Sequence, residues 1–264
     1  MNYKNKTVWI TGASSGIGRE LAKKFSVEGA NIVLSSRNTL ELQILKAEIE
    51  SANCKVLVET LDLTDQSAFP QVVDRVIAKF GRIDLLVNNG GISQRSLVEE
   101  TSLEVDRKLM EVNFFGTIAL TKEVLPYMLE RKSGQIAVVT SVVGKFGFPL
   151  RSAYSASKHA LQGFFDTLRA ETQDRGISIS IIIPGRIKTN ISVQALVADG
   201  STYGKMDVGQ DHGISAEDAA DKIFIGLINK KKEILVVRKE LFMLNIRRFF
   251  PFIYYRIVSK IKAT

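Results

Sequence analysis

Thr7-Val8-Trp9-Ile10-Thr11-Gly12-Ala13-Ser14-Ser15-Gly16-Ile17-Gly18 is the stretch that decides the fold. Thr7 to Ile10 are bulky and mostly apolar or β-branched, and read as a short buried strand that runs directly into glycines. Gly12 permits a tight turn, Gly16 lets backbone approach a ligand, and Gly18 lets the next helix pack closely on the sheet. Ile17, Leu21, Ala22 and Phe25 recur at helical spacing, so a helix runs on to Glu28 and its N-terminal N–H groups face an anion. The glycine spacing is G-x-x-x-G-x-G, a variant of the commoner dinucleotide fingerprint G-x-G-x-x-G.

Gly12-Ala13-Ser14-Ser15-Gly16 also fits G-x-S-x-G, the strand-turn-helix elbow of serine hydrolases. Such an elbow follows several strands that build the sheet and oxyanion hole, whereas one strand at most precedes residue 12. His159 and His212 are the sole candidate bases, and neither has an identifiable acid partner in its surroundings. The hydrolase reading is the minor alternative.

Working outward, Asn31-Ile32-Val33-Leu34-Ser35-Ser36 is a second strand. It ends where a dinucleotide fold distinguishes NAD, through an acidic residue on the ribose 2′-hydroxyl, from NADP, through an arginine on the 2′-phosphate. Ser36-Arg37-Asn38 stands there, with no carboxylate before Glu41, so Arg37 favours NADP(H). An amphipathic helix over 39–52, a strand over 55–60 ending at Asp62-Leu63, a helix over 65–80 and a strand over 83–88 follow. Strands alternating with helices of this length indicate a parallel sheet covered on both faces, with ligands beyond the carboxyl ends of the strands. Asp62 and Asn88-Asn89-Gly90-Gly91 lie at two such ends.

With 264 residues, 45% of them hydrophobic, the chain is long enough to bury one large core, and no repeat or second-domain boundary interrupts it. The net charge of +8 fits solubility or attraction of a phosphorylated cofactor as well as it fits nucleic acid or a membrane surface. No nucleic-acid partner is expected. One cysteine, Cys54, excludes an internal disulfide, and with two histidines it is too little for a cysteine-histidine metal cluster, so no metal is expected. The N-terminal residues carry no apolar run of signal-peptide length, and a cytoplasmic protein is the expectation.

Further along, Gln135-Ile136-Ala137-Val138-Val139-Thr140 is a strand that delivers Ser141 to the ligand edge, and Tyr154-Ser155-Ala156-Ser157-Lys158 opens a helix over 153–175. Residues four apart share a helix face, so Lys158 is expected beside the Tyr154 phenol, where a cation would lower an ordinary phenol pKa of about 10 toward working pH. Residues 103–131 form a long helical region broken near Asn113. Ile177 to Ile183 make another central strand ending at Pro184-Gly185.

Taken in order, the glycine turn, Asp62, Asn88-Asn89-Gly90-Gly91, Asn113, Ser141, Tyr154, Lys158, Pro184-Gly185 and Thr189 resemble the short-chain dehydrogenase/reductase family in its non-extended form, across nearly the whole chain. Gly90, where the family more often has alanine, is a departure that adds backbone freedom. The resemblance implies a single doubly wound Rossmann-type α/β domain with about seven parallel strands. It implies Tyr154 as general acid in carbonyl reduction and Ser141 as the group that polarises the substrate oxygen. Lys158 would tune Tyr154 and hold the nicotinamide ribose, and Asn113 would hold a proton-relay water or merely satisfy the helix break. Gly12, Ser14, Ser15, Gly16, Ile17, Gly18, Arg37, Asn38, Asp62, Leu63, Asn89, Gly90, Tyr154, Lys158, Pro184, Gly185, Ile187 and Thr189 would hold NADP(H). His159 is expected to be packed or at an interface. A small-molecule carbonyl or alcohol substrate and a homo-dimer or homo-tetramer are the implied partners. An NADP-binding sensor or scaffold is the non-enzymatic alternative.

Residues 190–213 lack periodicity and suit a substrate loop or lid. A helix over 216–229 and a strand over 233–237 should close the sheet, completing a domain over 1–240. Residues 241–264 form a helical C-terminal extension in which bulky apolar groups mix with cations and Pro251 intervenes, which excludes a spanning helix and favours two bent amphipathic helices. Similar tails occur in members that resemble hydroxysteroid and acyl-dihydroxyacetone-phosphate reductases, so the resemblance implies an apolar, lipid- or steroid-like substrate. The tail, 241–262, is expected to bury Phe249, Phe250, Phe252, Ile253 and Tyr254 in protein, with peripheral membrane contact as the alternative.

Overall fold

In the computed structural model, which describes residues 2–261, strand β1 (Thr7–Thr11) is buried along its whole length at the centre of a sheet. The chain leaves it through α1 (Gly16–Val27), β2 (Asn31–Ser36), α2 (Thr39–Ile49) and β3 (Val56–Thr60), then returns through α3 (Phe69–Phe80) to β4 (Leu85–Asn88) on the other side of β1. It continues outward through α4 (Leu103–Met110), α5 (Gly116–Glu130), β5 (Gly134–Val139), α6 (Ser152–Thr172) and β6 (Ile177–Pro184). A small pair, β7 (Ile187–Lys188) and β8 (Ile214–Ser215), flanks the short helix α7 (Val208–Asp211), and α8 (Ala216–Ile228) leads to β9 (Glu233–Val236). The main sheet has seven strands in the order β3-β2-β1-β4-β5-β6-β9, and every neighbouring pair is parallel. The direction of winding reverses between β1 and β4, which opens a crevice at their carboxyl ends.

Alternation along the strands divides the core into two layers. Val8, Ile10, Ile32 and Leu34 face Leu21, Phe25, Leu42 and Ile223 of α1, α2 and α8. Trp9, Val33, Leu86 and Val138 face Val72, Val76, Leu120 and Phe165 of α3, α5 and α6. Central strands wet on neither face must be apolar throughout, which is why these segments read as continuous hydrophobic runs.

Several boundaries differ from expectation for local reasons. Helix α2 stops at Ile49, because Ser51 and the buried Cys54 exchange backbone hydrogen bonds of 3.0 and 3.2 Å and turn the chain into β3. The long helical region is interrupted over Glu111–Phe115 by one turn of wider i→i+5 helix, a feature that cluster at functional sites. Residues 190–213 are not featureless: Leu196 bridges both Gln94 and Thr202.

The C-terminal extension consists of α9 (Glu240–Phe249) and α10 (Pro251–Val258), bent at Phe250. Tyr254 is buried, donates its hydroxyl hydrogen to the Gly147 carbonyl, and lies 5.7 Å from the Phe146 ring. Of the tail residues expected to be covered by protein, Tyr254 alone is buried within this chain; Phe249, Phe250, Phe252 and Ile253 are exposed, and Lys262 lies outside the described residues. Among the described residues no helix is long and apolar enough to cross a membrane.

Candidate active site

The glycine turn is tied to the end of β4 by two side chains. Thr11 Oγ1 accepts from the backbone N–H groups of Asn89 and Gly90 at 3.0 and 2.9 Å, while Asn89 Nδ2 donates to the carbonyls of Thr11 and Gly12 at 3.0 and 3.1 Å. Gly12 and Gly16 have φ of +64° and +54°, values that side chains disfavour. A Cβ on Gly18 would meet the Gly12 carbonyl and stand 2.6 Å from Asn89 Nδ2, so α1 needs glycine to come this close to the turn. Ser15 is the N-cap of α1 but its side chain makes no capping hydrogen bond, so the first-turn N–H groups are left for an anion. Ser14 is part-buried on the same turn, Ile17 packs against the core, and Thr189, after β7, lies against Gly16, where a Cβ would approach its Cγ2 to 3.0 Å.

At the neighbouring strand ends, Arg37 is exposed and Asn38 caps α2 by accepting from Glu41 N at 3.2 Å. Burial works against ionisation of Asp62, yet hydrogen bonds from the Thr64 backbone and hydroxyl, with the Arg37 and Lys108 charges, hold its carboxyl below the usual range. Gly90 does not have a positive φ, contrary to a role in backbone freedom; a Cβ there would sit 2.9 Å from Leu63 Cδ1, so Leu63 fills the space an alanine would use. Pro184 ends β6, Ile187 is buried in β7, and a Cβ on Gly185 would collide with the Glu240 carboxylate at 2.7 Å. The turn, the uncapped helix end and Arg37 lie together at the carboxyl ends of β1 and β2.

Ser141, Tyr154, Lys158 and Asn113 converge beside this turn. Lys158 Nζ donates to the Val139 carbonyl at 2.9 Å and lies 5.8 Å from the Tyr154 ring centroid. Burial lowers the Lys158 ammonium to about 8. The Tyr154 phenol departs from the expectation that Lys158 would lower it: burial raises it above its ordinary value, and the groups that pull the other way are a hydrogen bond with Ser141 and the charges of Arg95 and Arg151. Asn113 is buried in the wide helical turn, where its side chain accepts from Ile92 N at 2.8 Å and donates to Ile92 O and Ser157 Oγ at 3.0 and 3.1 Å. Gly91 is pressed against it; a Cβ there would be 2.9 Å from Asn113 Oδ1. His159 is exposed rather than packed, and its Nδ1 engages the Ser155 carbonyl of its own helix, as His212 engages Val208, so neither is placed as a base for Ser14.

Two further features have no counterpart in the sequence reading. Gln94, fully buried, caps the active-site helix: its Oε1 accepts from Ala153 N and Tyr154 N at 3.0 and 3.3 Å, and its Nε2 donates to Ser96, Thr101 and Ser152. Asp207, at the N-cap of α7, holds two arginines with one oxygen, the buried Arg95 at 3.2 Å and the part-buried Arg151 at 2.6 Å. Burial, and then the neighbouring Arg95 charge, lower the Arg151 guanidinium to about 10. These groups, with Val142, Phe146, Phe148 and Met243, enclose a cavity of about 230 Å³ that reaches Ser141 and Tyr154. Its walls combine these apolar side chains with polar and charged ones, among them Arg186, Gln210, Lys239 and Glu240.

Residues 6–198 match the family model of the short chain dehydrogenases. The chain belongs to the short-chain dehydrogenase/reductase family. Mouse dehydrogenase/reductase SDR family member 7B is 43% identical over 261 residues, a match covering 97% of this chain and 81% of that protein. A solved short chain dehydrogenase/reductase from Burkholderia phymatum in complex with NAD superposes with a TM-score of 0.85 at 22% identity, covering 100% of this chain and 98% of that one. An alcohol dehydrogenase from the archaeon Thermococcus sibiricus, complexed with 5-hydroxy-NADP, has a TM-score of 0.75 at 25% identity, covering 87% and 95%. As a short-chain dehydrogenase/reductase the protein is an oxidoreductase, and its fold is one that binds nicotinamide cofactors.

Proposed function

We propose that the protein reduces a ketone or aldehyde with NADPH, or oxidises the matching alcohol with NADP, on a largely apolar substrate. The observation that carries the reading is that Ser141 and Tyr154, with Lys158 beside the Tyr154 ring, line a cavity whose walls include Val142, Phe146, Phe148 and Met243. When bound, the cofactor supplies and accepts the hydride. The chain's own residues do the rest. The uncapped N-terminus of α1 would hold the pyrophosphate, and Thr189 and the Pro184-Gly185 turn would hold the nicotinamide end. Tyr154 gives its phenolic proton to the substrate oxygen during reduction, and Ser141 orients that oxygen. Lys158, whose ammonium donates to the Val139 carbonyl, would hold the nicotinamide ribose and stabilise the phenolate. Asn113, fully engaged with Ile92 and Ser157, holds the wide helical turn behind Lys158.

NADP preference rests on Arg37, exposed at the end of β2 with no carboxylate beside it on that turn. Apolar specificity rests on Val142, Phe146, Phe148 and Met243. The sensor alternative gives an acid-base tyrosine no task. A homo-oligomer is consistent with α4 and the wide turn, where Leu103 and Phe115 are exposed at 60% and 45%. The test is NADPH oxidation across a panel of carbonyl compounds. Tyr154→Phe should lose about 100-fold or more in turnover with NADPH affinity similar. Near-normal turnover in that variant would remove Tyr154 from its role.

A further inference from the structure

The tail elbow is the feature that the reductase reading leaves unused. Every side chain from Arg248 to Ile253 is exposed, and four of these six residues are phenylalanine or isoleucine, with Phe249 65% and Phe252 61% exposed. Phe242, one helical face back along α9, and Tyr255, one turn on in α10, extend the same apolar surface at 68% and 56%. An aqueous surface gains nothing from a run of this kind, and contiguous apolar patches mark interaction sites. The elbow is nevertheless firmly held. Tyr254 anchors α10 to the body through Gly147 and Phe146, Ile246 is buried, and Arg247 stacks on Tyr254 and Tyr255 at 5.6 and 5.3 Å. The aromatics are therefore presented by the fold, not left behind by a detached end.

The charges around the elbow decide what it meets. Lys239, Arg247, Arg248, Arg256 and Lys260 flank it along the chain, and Glu240 is the one acidic residue between positions 239 and 261. Glu240, whose carboxylate accepts from Arg186 N and Arg238 N at 3.0 Å each, offsets only one of these cations and leaves the positive charge in excess. A second copy of this chain would bring the same cations against these, and like charges across such a contact repel. An anionic lipid surface matches both halves of the pattern, since aromatic side chains enter the boundary between headgroups and acyl chains while cations stay among the headgroups.

We propose that the α9–α10 elbow docks on anionic lipid, inserting Phe249, Phe250, Phe252 and Ile253 and setting Arg248 and Arg256 against the headgroups. Met243 and Ile261, on the same tail, line the substrate cavity, so docking brings the cavity wall to the lipid surface.

The experiment uses the full chain loaded with NADPH and co-sedimented with vesicles of phosphatidylcholine, with and without phosphatidylserine, at low and high salt. Binding should require phosphatidylserine and weaken as salt rises. Phe249→Ser with Phe252→Ser should reduce partitioning by about tenfold or more, and Arg248→Glu with Arg256→Glu by about fivefold or more per residue. All four positions are exposed, and unchanged circular dichroism and melting will show that the fold is intact. Failure of the wild type to bind phosphatidylserine vesicles would overturn the proposal, as would binding that neither pair of substitutions changes. So would concentration-dependent self-association, measured by sedimentation, that the two phenylalanine substitutions abolish. Because the readout is partitioning, it stands or falls separately from any reductase activity.

Discussion

Lys158 is 4% exposed, and burial holds its ammonium at about 8 against an ordinary 10.5, a displacement worth about 3 kcal/mol. At pH 7 both folded and unfolded chains carry the proton, and the folded state bears the whole cost. Between about 8 and 10.5 the folded lysine has released its proton while the unfolded chain still holds it, so stability rises with pH through that window and the cost is gone above it. Replacing Lys158 by methionine, a flexible apolar side chain of similar length, removes the charge. It also leaves the Val139 carbonyl without its donor at 2.9 Å, a loss of about 1 kcal/mol. The expected net gain at pH 7 is about 2 kcal/mol, or a rise in Tm of about 4–8 °C for a chain of this size. Calorimetry or urea unfolding of cofactor-free wild type and Lys158→Met at pH 7 and pH 10 measures it. The stability difference should be largest at pH 7 and nearly vanish at pH 10. A methionine variant less stable than wild type at pH 7, or a difference independent of pH, would refute a buried, costly ammonium.

Other expectations test separate parts of the site. Arg37→Ala should weaken NADPH binding about ten- to a hundredfold and leave NADH nearly unchanged, as fluorescence titration of both cofactors will show; equal weakening would mean a general charge effect. Asp207→Asn leaves Arg95 and Arg151 without their shared carboxylate near Tyr154, which favours the phenolate, so the pH profile of alcohol oxidation should move to lower pH. An unmoved profile would separate the arginines from Tyr154. Gly18→Ala should lower stability by about 1–3 kcal/mol, since the added Cβ meets Asn89 and the Gly12 carbonyl, with weaker NADPH binding in the same titration.

What was legible in the sequence was what local rules determine. A strand followed by glycines and an amphipathic helix can form only a few structures, and Thr7 to Phe25 form the expected one because each choice of residue supports the same turn. The seven parallel strands follow from the repeated alternation of strand and helix. Tyr154 and Lys158 share a helix face by spacing alone, yet their electrostatic relation did not follow, because it depends on where the ammonium finds an acceptor. Val139 supplies that acceptor from β5, nineteen positions away in the chain and invisible to a helical wheel.

The arginine cluster shows the same limit more sharply. Arg151 is the N-cap residue of α6, three residues before Tyr154, and could have been singled out by that nearness in the chain. Nothing local marks Arg95, and Asp207 is separated from it by 112 residues within a segment that has no periodicity. Their meeting is a product of the sheet, which brings the loop after β4, the start of α6 and the 190–213 segment to one edge. Charge composition could not reveal it, because +8 counts a buried guanidinium and a solvated one alike. The distinction matters at Tyr154: exposed arginines would be screened by water, whereas Arg95 and Arg151, with side-chain exposures of 3% and 12%, are screened less and their charges favour the phenolate. Asp207 lies in the segment that the sequence marks as a substrate loop, so any movement of that segment that withdraws the carboxylate would also strengthen the field that favours the phenolate.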